Sequence, residues 1–351
     1  MYILKVDPSK PEHEKIRIAA NALRHGLLVA FPTETVYGLG ANALDRFAVN
    51  KIFEAKGRPT SDPLIVHLAD KTWLPRVTSH TSPIVDSLAE AFWPGPLTLI
   101  LPKRNEIPDL VTAGRNTVAV RVPSHPIALA LIKEAGVLVA APSANRFGYT
   151  SPTKASHVLS DLSEQIDVLL DGGETLIGFE STVLDITGSK PVILRPGGVT
   201  CEQLSRIIGD VSVQNLTSSE EILQKSPGLM LKHYSPRANL IFVIDSLKER
   251  ALAYLRQIAE EEINAGRSVG VLMVEEDLDV FIGLPVQVAS LGTKNDMLGV
   301  AHNLYGGLRE LDSRNVEIIL ARDLGDRGLG LALRDRLKRA ATKTIWRTES
   351  N

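Results

Sequence analysis

The side chains of this sequence best able to do chemistry are cations placed where apolar, strand-like runs end. Arg121 lies in TVAVRVP and Arg195 in LRPG, while Lys56 and Arg58 open the block KGRPTSDPLIVH. Arginine and lysine at such positions suit phosphate or carboxylate groups, which they bind through charge-assisted hydrogen bonds. These residues therefore predict a site for an anionic ligand.

Hydroxyl side chains accompany the cations in three further segments. Thr35 lies in FPTETVYGLG, Ser143 in APSAN and Ser181 in GFESTV. FPTETVYGLG alone favours a tight structural turn with exposed amides. Combined with three arginines, however, the hydroxyls indicate a polyanion site without a protein nucleophile. Such a site favours a reaction in which a group of one substrate attacks a phosphate while the protein positions the reactants and stabilises charge.

Two of these cationic positions have more than one interpretation. On a strand, Arg121 points away from Val120 and Val122, so in a central strand it is semi-buried and requires an anion. An internal carboxylate and a ligand are equally good candidates. Lys56 and Arg58 could interact with the dipole of a helix end, or a proline-stiffened loop could present them to a triphosphate.

Several familiar site signatures are missing from the sequence. It contains no G-x-x-x-x-G-K-[ST] loop, no H-E-x-x-H pair and no G-x-S-x-G elbow. Gly325, Gly328 and Gly330 precede a predicted helix but lack dinucleotide-binding spacing, so a plain loop is favoured. The single cysteine, Cys201, excludes an intramolecular disulfide and a cysteine metal cluster. Any Mg²⁺ is expected on the phosphates of a nucleotide.

Length and composition set broad limits on the protein class. The chain has 351 residues, 44% hydrophobic and 23% charged, with a net charge of −2. This length favours two domains, and the charge argues against a protein that coats nucleic acid. Without an apolar run near the ~20 residues of a membrane helix, we expect a cytoplasmic protein that does not enter membranes.

The elements that position the chemical groups alternate along residues 1–208. Helices are predicted at 11–25, 45–55, 81–92, 125–135, 152–161 and 200–208. Strands are predicted at 27–31, 64–68, 97–101, 117–122, 137–141, 167–171, 182–186 and 191–195. Some neighbouring strands are joined by helices and others by turns, which indicates a twisted, open α/β domain with a mixed sheet.

The remaining chain divides into a linker and a second domain. Residues 209–238 lack a regular period but contain Met230, His233 and Tyr234. From residue 239 to 351 a βα rhythm predicts a smaller Rossmann-like domain, with strands at 240–244, 268–274, 286–291 and 316–321 and helices at 246–265, 295–312 and 331–343. The basic stretch 334–347 favours a solvated helix face over an RNA site.

The ordered motifs PTETVYGLG, KGRP…PLIVH, WPGPLT, TVAVRVP, APSAN and STV…LRPG resemble the YrdC-like threonylcarbamoyl-AMP synthases over about residues 10–208. The linker and second domain resemble the long, two-domain branch of that family. The resemblance implies that L-threonine, bicarbonate or CO2, and ATP yield threonylcarbamoyl-AMP and pyrophosphate, with Mg²⁺ on the ATP. A separate transferase complex then modifies tRNA, so the chain itself need not bind tRNA.

The resemblance also implies residue roles. Threonine is expected to contact Thr35, His67, Arg121 and Ser181, with Arg121 on its carboxylate. The ATP side is expected to comprise Lys56, Arg58, Asp62, Thr117, Ala141, Ser143, Ser151, Arg195 and Tyr234, with His233 beside Tyr234. His67 alone would pass for a structural histidine, and an acid such as Asp62 tolerates phosphates when Mg²⁺ or a lysine is near.

Two other functions share the predicted fold. Carbamoyl transfer from carbamoyl phosphate, the activity of related hydrogenase-maturation factors, goes with zinc-binding and acylphosphatase modules for which this chain has neither the cysteines nor the length. A non-catalytic RNA-binding module would need more positive charge than this sequence carries.

Overall fold

The computed structural model describes residues 1–80, 82–214 and 233–347. The described residues form two compact units, one of residues 1–147 and 151–214 and the other of residues 148–150 and 233–347. Residues 215–232 of the predicted linker, with Met230, lie outside the described residues. Within the described residues, no helix has the length and apolarity needed to cross a membrane.

The first unit is built on a mixed sheet, as the sequence predicts. Its described strands are β1 (Tyr2–Lys5), β2 (Val29–Pro32), β3 (Tyr37–Asn42), β4 (Ile65–His67), β5 (Leu97–Pro102), β6 (Thr117–Arg121), β7 (Val139–Ala140), β8 (Val168–Asp171), β9 (Thr182–Asp185), β10 (Val192–Arg195) and β11 (Ser212–Val213). They are ordered β1-β8-β2-β3-β7-β4-β6-β5-β9-β10-β11. Strands β4 and β6 are parallel, whereas β5 is antiparallel to β6 and parallel to β9.

Some helices of the first unit have ends that are marked by local capping interactions. They are α1 (His13–Arg24), α2 (Arg46–Lys56), α3 (Pro83–Phe92), α4 (Asp109–Thr112), α5 (Pro126–Ala135), α6 (Ala155–Leu162) and α7 (Cys201–Ile208), with a 3₁₀ helix at Lys71–Arg76. The Asp45 carboxylate caps α2, and Gly57 ends it in the left-handed conformation. Thr200 and Gln203 form a capping box on α7.

The two faces of this sheet differ along its width. Val66, Val118, Val120 and Leu99 face one large core that extends beneath most of the strands. On the opposite face, α1 and α5 pack over β1, β8, β2 and part of β7 to form a second core. That second face continues over β4, β6, β5, β9 and β10, where its apolar cluster contains strand residues and no helix residue.

The second unit has a parallel sheet, in agreement with the predicted Rossmann-like rhythm. Its strands are β12 (Asn239–Asp245), β13 (Val269–Met273), β14 (Gln287–Ser290), β15 (Ile318–Arg322) and β16 (Lys343–Arg347), ordered β14-β13-β15-β12-β16. Its helices are α8 (Lys248–Asn264), α9 (Met297–Ser313) and α10 (Gly328–Ala340). Helix α8 packs on the face of Val271, whereas α9 packs close to Gly270 on the other face.

The prediction of a solvated helix face at 334–347 is wrong. Helix α10 ends at Ala340 and the chain continues into β16. Arg336 and Arg339 are 1% and 4% exposed, and both bond the buried carboxylate of Asp335, at 2.5 and 3.0 Å. A basic stretch in a sequence suggests a solvent-exposed helix face. It does not reveal that an aspartate within the stretch pairs with the arginines and allows them to be buried.

Replacing Asp335 by alanine is expected to lower the free energy of unfolding of the second unit by about 3–5 kcal/mol. The loss leaves two buried guanidinium groups without their shared carboxylate. Urea unfolding followed by circular dichroism measures the effect. The control is Asp326→Ala, since Asp326 is exposed and its ion pair with Arg334 at 3.6 Å contributes little. Equal stability of the two variants would contradict the buried network.

Candidate functional site

Five buried apolar residues form the floor of the candidate site in the first unit. Ile65, Ile100, Ala119, Val183 and Leu194 cluster on one face of the sheet, over β4, β6, β5, β9 and β10. Because side chains alternate along a strand, this face also receives His67 from β4 and Arg121 and Thr117 from β6. The floor therefore has polar side chains at both ends of its strands.

One end of the floor gathers residues from five adjacent strands. His67 and Arg121 are register partners at the carboxyl ends of β4 and β6. Thr98 lies at the start of β5 and donates to or accepts from Ser181 Oγ at 2.8 Å. Arg195 ends β10, and its Nη2 donates to the Ser181 carbonyl at 3.0 Å and to Ser181 Oγ at 3.2 Å. The structure thus brings together Arg121, Arg195 and Ser181 as predicted neighbours.

The other end gathers the residues of the KGRP block. Arg58 Nη2 donates to the Pro63 carbonyl at 2.7 Å and lies 2.9 Å from Asp62 Oδ2. Lys56 Nζ donates to the carbonyls of Ser143 and Asn145 at 2.6 and 2.5 Å. These contacts place the KGRP block and the APSAN segment side by side, just before β4 begins.

The two ends are separated by the length of the central strands. Four residues separate Thr117 from Arg121 along β6, which corresponds to about 13 Å. Arg58 therefore lies beyond the opposite strand ends from Arg121, so the cations predicted for one polyanion site are divided between the two ends of the floor. The arrangement fits an extended ligand, or two ligands end to end, with cations at each end.

Arg121 is buried, and the anion that it requires is an internal carboxylate. Its Nη2 donates to Glu34 Oε1 at 2.6 Å, its Nη1 to Thr35 Oγ1 at 3.0 Å and its Nε to the Gly95 carbonyl at 3.2 Å. A guanidinium has five N–H donors, so within the described part of the chain one donor on each terminal nitrogen is left for a ligand. The sequence left an internal carboxylate and a ligand as equally good candidates, and in the structure the carboxylate of Glu34 is the anion that pairs with Arg121.

The turn that carries Glu34 and Thr35 is buried, so the prediction of exposed amides there is wrong. Thr33 N–H and Oγ1 both donate to the Val36 carbonyl and close the turn. The Ile177 and Gly178 amides donate to the carbonyls of Glu34 and Thr35. The FPTETVYGLG and GFESTV segments are therefore adjacent, because backbone bonds fix one on the other.

His67 is buried, and its Nδ1 has no hydrogen-bond partner among the described residues. Burial, with a smaller contribution from the Arg121 charge, lowers the pKa of His67 from 6.5 to about 3. The imidazole is therefore neutral at physiological pH and offers one ring nitrogen to a ligand.

Acid is expected to destabilise the first unit through His67. Its depressed folded pKa means that the unfolded chain binds the proton more readily, so stability is full above 6.5 and falls towards the folded pKa. The free energy of unfolding should drop by about 2 kcal/mol from pH 8 to pH 5 through this residue alone. Denaturant unfolding at several pH values measures how the free energy of unfolding changes with pH. This pH dependence should be weaker in His67→Gln than in the control His13→Gln, which changes an exposed histidine. An equal pH dependence in the two variants would contradict the assignment.

The charges at the KGRP end act on one another. Burial, reinforced by the neighbouring Arg58 charge, lowers the pKa of Lys56 well below its usual range. Burial raises the pKa of Asp62, against the opposing charges of Arg58, Lys56, Arg195 and the half-buried Arg115. Arg195 therefore acts electrostatically on Asp62 and also donates hydrogen bonds to Ser181.

The other predicted contacts have simpler surroundings. Ala141 N–H donates to the Ile65 carbonyl at 2.9 Å within the sheet, and Thr117 pairs with Pro102 at the start of β6. Ser151 Oγ donates to Glu180 Oε1 at 2.6 Å. All three lie in the first unit.

Tyr234 lies in the second unit, where it is buried with a φ of 63°. Its ring is stacked on Tyr305 at 5.7 Å, and the Arg336 guanidinium lies 5.2 Å from its centroid. The His233 ring is 4.1 Å from that of Tyr234. Contacts of Tyr234 and His233 with a nucleotide stay predictions.

Sequence reasoning missed Glu34, Thr98, Arg115 and Glu180 as members of this site. Glu34 lies inside the FPTETVYGLG segment, which was selected for its hydroxyl groups, so its carboxylate could have been considered as a site group. Its partner, however, is 87 residues away, and no spacing rule connects the two.

The fold and the site define a two-unit α/β protein with a cation-lined sheet face in its first unit. Two family models match it: Sua5_yciO_yrdC, described as telomere recombination, over residues 21–197, and the C-terminal domain of threonylcarbamoyl-AMP synthase over residues 199–342. The chain belongs to the Sua5/YrdC family of threonylcarbamoyl-AMP synthases, as the motifs predicted. It is accordingly an enzyme, and the nucleotidyltransferase class fits it.

Named relatives match nearly the whole chain. A Bacillus subtilis threonylcarbamoyl-AMP synthase is 47% identical over 95% of this chain and 94% of its own length. One from Pyrococcus abyssi is 43% identical over 94% of this chain and 95% of its own. The crystal structure of P. abyssi Sua5 complexed with L-threonine has a TM-score of 0.92 at 41% identity, covering 99% of this chain and 100% of that one.

Proposed function

We propose that this chain condenses L-threonine, bicarbonate or CO2, and ATP into threonylcarbamoyl-AMP and pyrophosphate. The observation that carries the proposal is Arg121, a buried guanidinium that keeps two N–H donors for a ligand at one end of a floor with cations at both ends. The names of the relatives and the L-threonine complex of P. abyssi Sua5 support it.

Threonine is assigned to the end that holds Arg121. Its carboxylate would take the two remaining N–H donors, a bidentate arrangement that suits guanidinium. Thr35 would add a hydroxyl from the adjacent turn, and neutral His67 and Ser181 would offer hydrogen bonds to the threonine hydroxyl.

ATP is assigned to the remaining length of the floor. The cations Lys56, Arg58 and Arg195 would neutralise the phosphates, with the polar groups of Asp62, Thr117, Ser143 and Ser151 and the main chain of Ala141 fixing the nucleotide. Tyr234 is proposed as a further nucleotide contact. Neutralising cations stabilise the charge that develops in phosphoryl and nucleotidyl transfer.

Magnesium is assigned to the phosphates of ATP and is part of that substrate. Among the residues that the structure describes, no group of three or more His, Cys, Asp or Glu side chains could hold a metal ion. Asp62, the acid at the KGRP end, is already bound to Arg58. The role proposed for the chain's own residues is to bind and orient the substrates.

The chemistry proposed needs no protein nucleophile. The amine of threonine attacks the carbon of bicarbonate with loss of water, or adds to CO2 with loss of a proton, to give a carbamate. An oxygen of the carbamate then attacks the α-phosphorus of ATP while the bond to pyrophosphate breaks. The protein contributes alignment and charge stabilisation. We propose that a separate transferase complex uses the product to modify tRNA in the cytoplasm, so direct tRNA binding by this chain is not required.

Omitting one substrate at a time tests the proposal. Pyrophosphate release should require ATP, Mg²⁺, bicarbonate and L-threonine together, and glycine should not replace L-threonine because it lacks the hydroxyl assigned to His67 and Ser181. Pyrophosphate release that is independent of amino acid would contradict the proposed function.

A further inference from the structure

Only one of the two carboxylate oxygens of Glu34 has a hydrogen-bond partner among the described residues, so the other oxygen is available to a ligand. Glu34 Oε1 accepts the 2.6 Å hydrogen bond from Arg121. Its Oε2 is buried and has no hydrogen-bond partner among the described residues, although Glu34 is only 2% exposed. A buried carboxylate oxygen without a donor is costly, so a ligand that supplies one would be bound favourably.

The donor must come from a ligand with a particular charge pattern. Arg121 keeps two N–H groups for an anion, and Glu34 keeps one oxygen for a cation, in side chains that touch each other. An α-amino acid carries its carboxylate and ammonium groups on one carbon. A zwitterion can therefore lie over this ion pair with each charge opposite its complement.

The backbone around Glu34 holds this geometry in place. The Glu34 carbonyl accepts from the Ile177 amide at 2.7 Å, and the adjacent Thr35 carbonyl accepts from Gly178 at 3.1 Å. Thr35 Oγ1 also takes one N–H of Arg121. Glu34 also acts electrostatically on His125, whose Nδ1 accepts a hydrogen bond from the Ile127 amide. Arg121 and Glu34 are thus fixed relative to each other.

We propose that Glu34 Oε2 binds the α-ammonium group of the amino-acid substrate and so restricts this end of the site to amino acids. The inference rests on the proposed function, because it takes threonine as the ligand of Arg121. It adds to that function a substrate-binding residue and a reason why a hydroxy acid without the amino group is rejected.

Binding measured without ATP tests the proposal. Isothermal titration compares L-threonine with (R)-3-hydroxybutanoate, which keeps the carboxylate and hydroxyl but lacks the amino group. A hydrogen bond to a charged group corresponds to a factor of roughly 10 to 150 in affinity, so the wild-type chain should prefer threonine at least ~10-fold. In Glu34→Gln that preference should shrink at least ~5-fold, while ATP affinity should stay within ~3-fold.

Two further variants keep the test decisive. Asp185→Asn removes a buried carboxylate that bonds Thr187 at the far end of β9, and it should keep the wild-type preference. If Glu34→Gln does not fold, Glu34→Asp decides, since it retains the charge but withdraws the oxygen by one methylene and should reduce the preference at least ~3-fold.

The outcomes separate the two hypotheses. A wild-type preference retained in the folded Glu34→Gln variant, or in Glu34→Asp where that variant is needed, overturns the role of Glu34 and leaves the proposed function standing. No threonine binding by the wild-type chain overturns the proposed function and this inference with it.

Discussion

Replacing Arg121 by alanine should weaken L-threonine binding at least ~100-fold while changing ATP affinity less than ~3-fold. Two charge-assisted hydrogen bonds to a carboxylate are lost, and each contributes about 1.5–3 kcal/mol. The affinity for ATP is largely unchanged because its phosphates are assigned to other cations. Lys56 and Arg58 lie at the other end of the floor, and Arg195 lies on a different strand.

The same change removes the partner of Glu34, so a loss of stability must be separated from a loss of binding. A buried carboxylate left alone costs about 3–5 kcal/mol. Arg121→Lys keeps a positive charge beside Glu34 but lacks the planar fork, so it should fold and still bind threonine poorly. Arg104→Ala, a change at a half-exposed arginine paired with Glu106, is the control. Loss of ATP binding with threonine binding intact would reverse the assignment of Arg121.

Replacing Arg195 by alanine should lower the rate of threonylcarbamoyl-AMP formation ~100- to 1,000-fold, the size typical for removal of one preorganised charge stabiliser. Arg195 links the two ends of the floor: it donates to Ser181 on the threonine side and acts electrostatically on Asp62 on the ATP side. Removing Arg195 should therefore weaken the binding of both substrates, and kcat should fall by a larger factor than either affinity.

Steady-state kinetics with each substrate varied in turn measures this effect. Arg206→Ala is the matched control. Arg206 is exposed in the last turn of α7, and its replacement removes the same charge from the same unit. An Arg195→Ala variant with unchanged kcat and a raised KM for ATP alone would show that Arg195 binds nucleotide without stabilising the reaction.

Local chemistry made much of the fold predictable from the sequence. Helix α2 follows from the Asp45 cap and Gly57, and α7 follows from Thr200 with Gln203. Strands such as β5 and β6 are runs of apolar residues that need burial wherever they pair. In each case the signal lies within a few residues of the element it specifies.

Elements specified by distant contacts were missed. Strand β3 has the sequence YGLGAN, which suits a turn, yet Gly40 lies so close to Phe31 and Val139 that a Cβ would come within 3.0 Å of both. Strand β16 was read as the end of a helix, although it pairs in parallel with β12. Pairing partners decide these segments, and a single sequence does not reveal them.

The candidate site shows the same division. Strand-end positions predicted Arg121 and Arg195, because cations beside apolar strands require anions. Two cations on a proline-stiffened loop after a helix predicted Lys56 and Arg58. The partner of Arg121 could not be predicted, since Glu34 is one of many acidic residues and reaches Arg121 only through the turn that Ile177 and Gly178 fix.

The most direct test of the proposed reaction follows the carbon of bicarbonate. Purified chain is incubated with ATP, Mg²⁺, L-threonine and ¹³C-bicarbonate, and the products are analysed by mass spectrometry. We predict a threonylcarbamoyl-adenylate that is one mass unit heavier than the unlabelled product and is formed in equal amount with pyrophosphate. An adenylate of threonine without the labelled carbon, or pyrophosphate without any adenylated threonine, would contradict the proposed function.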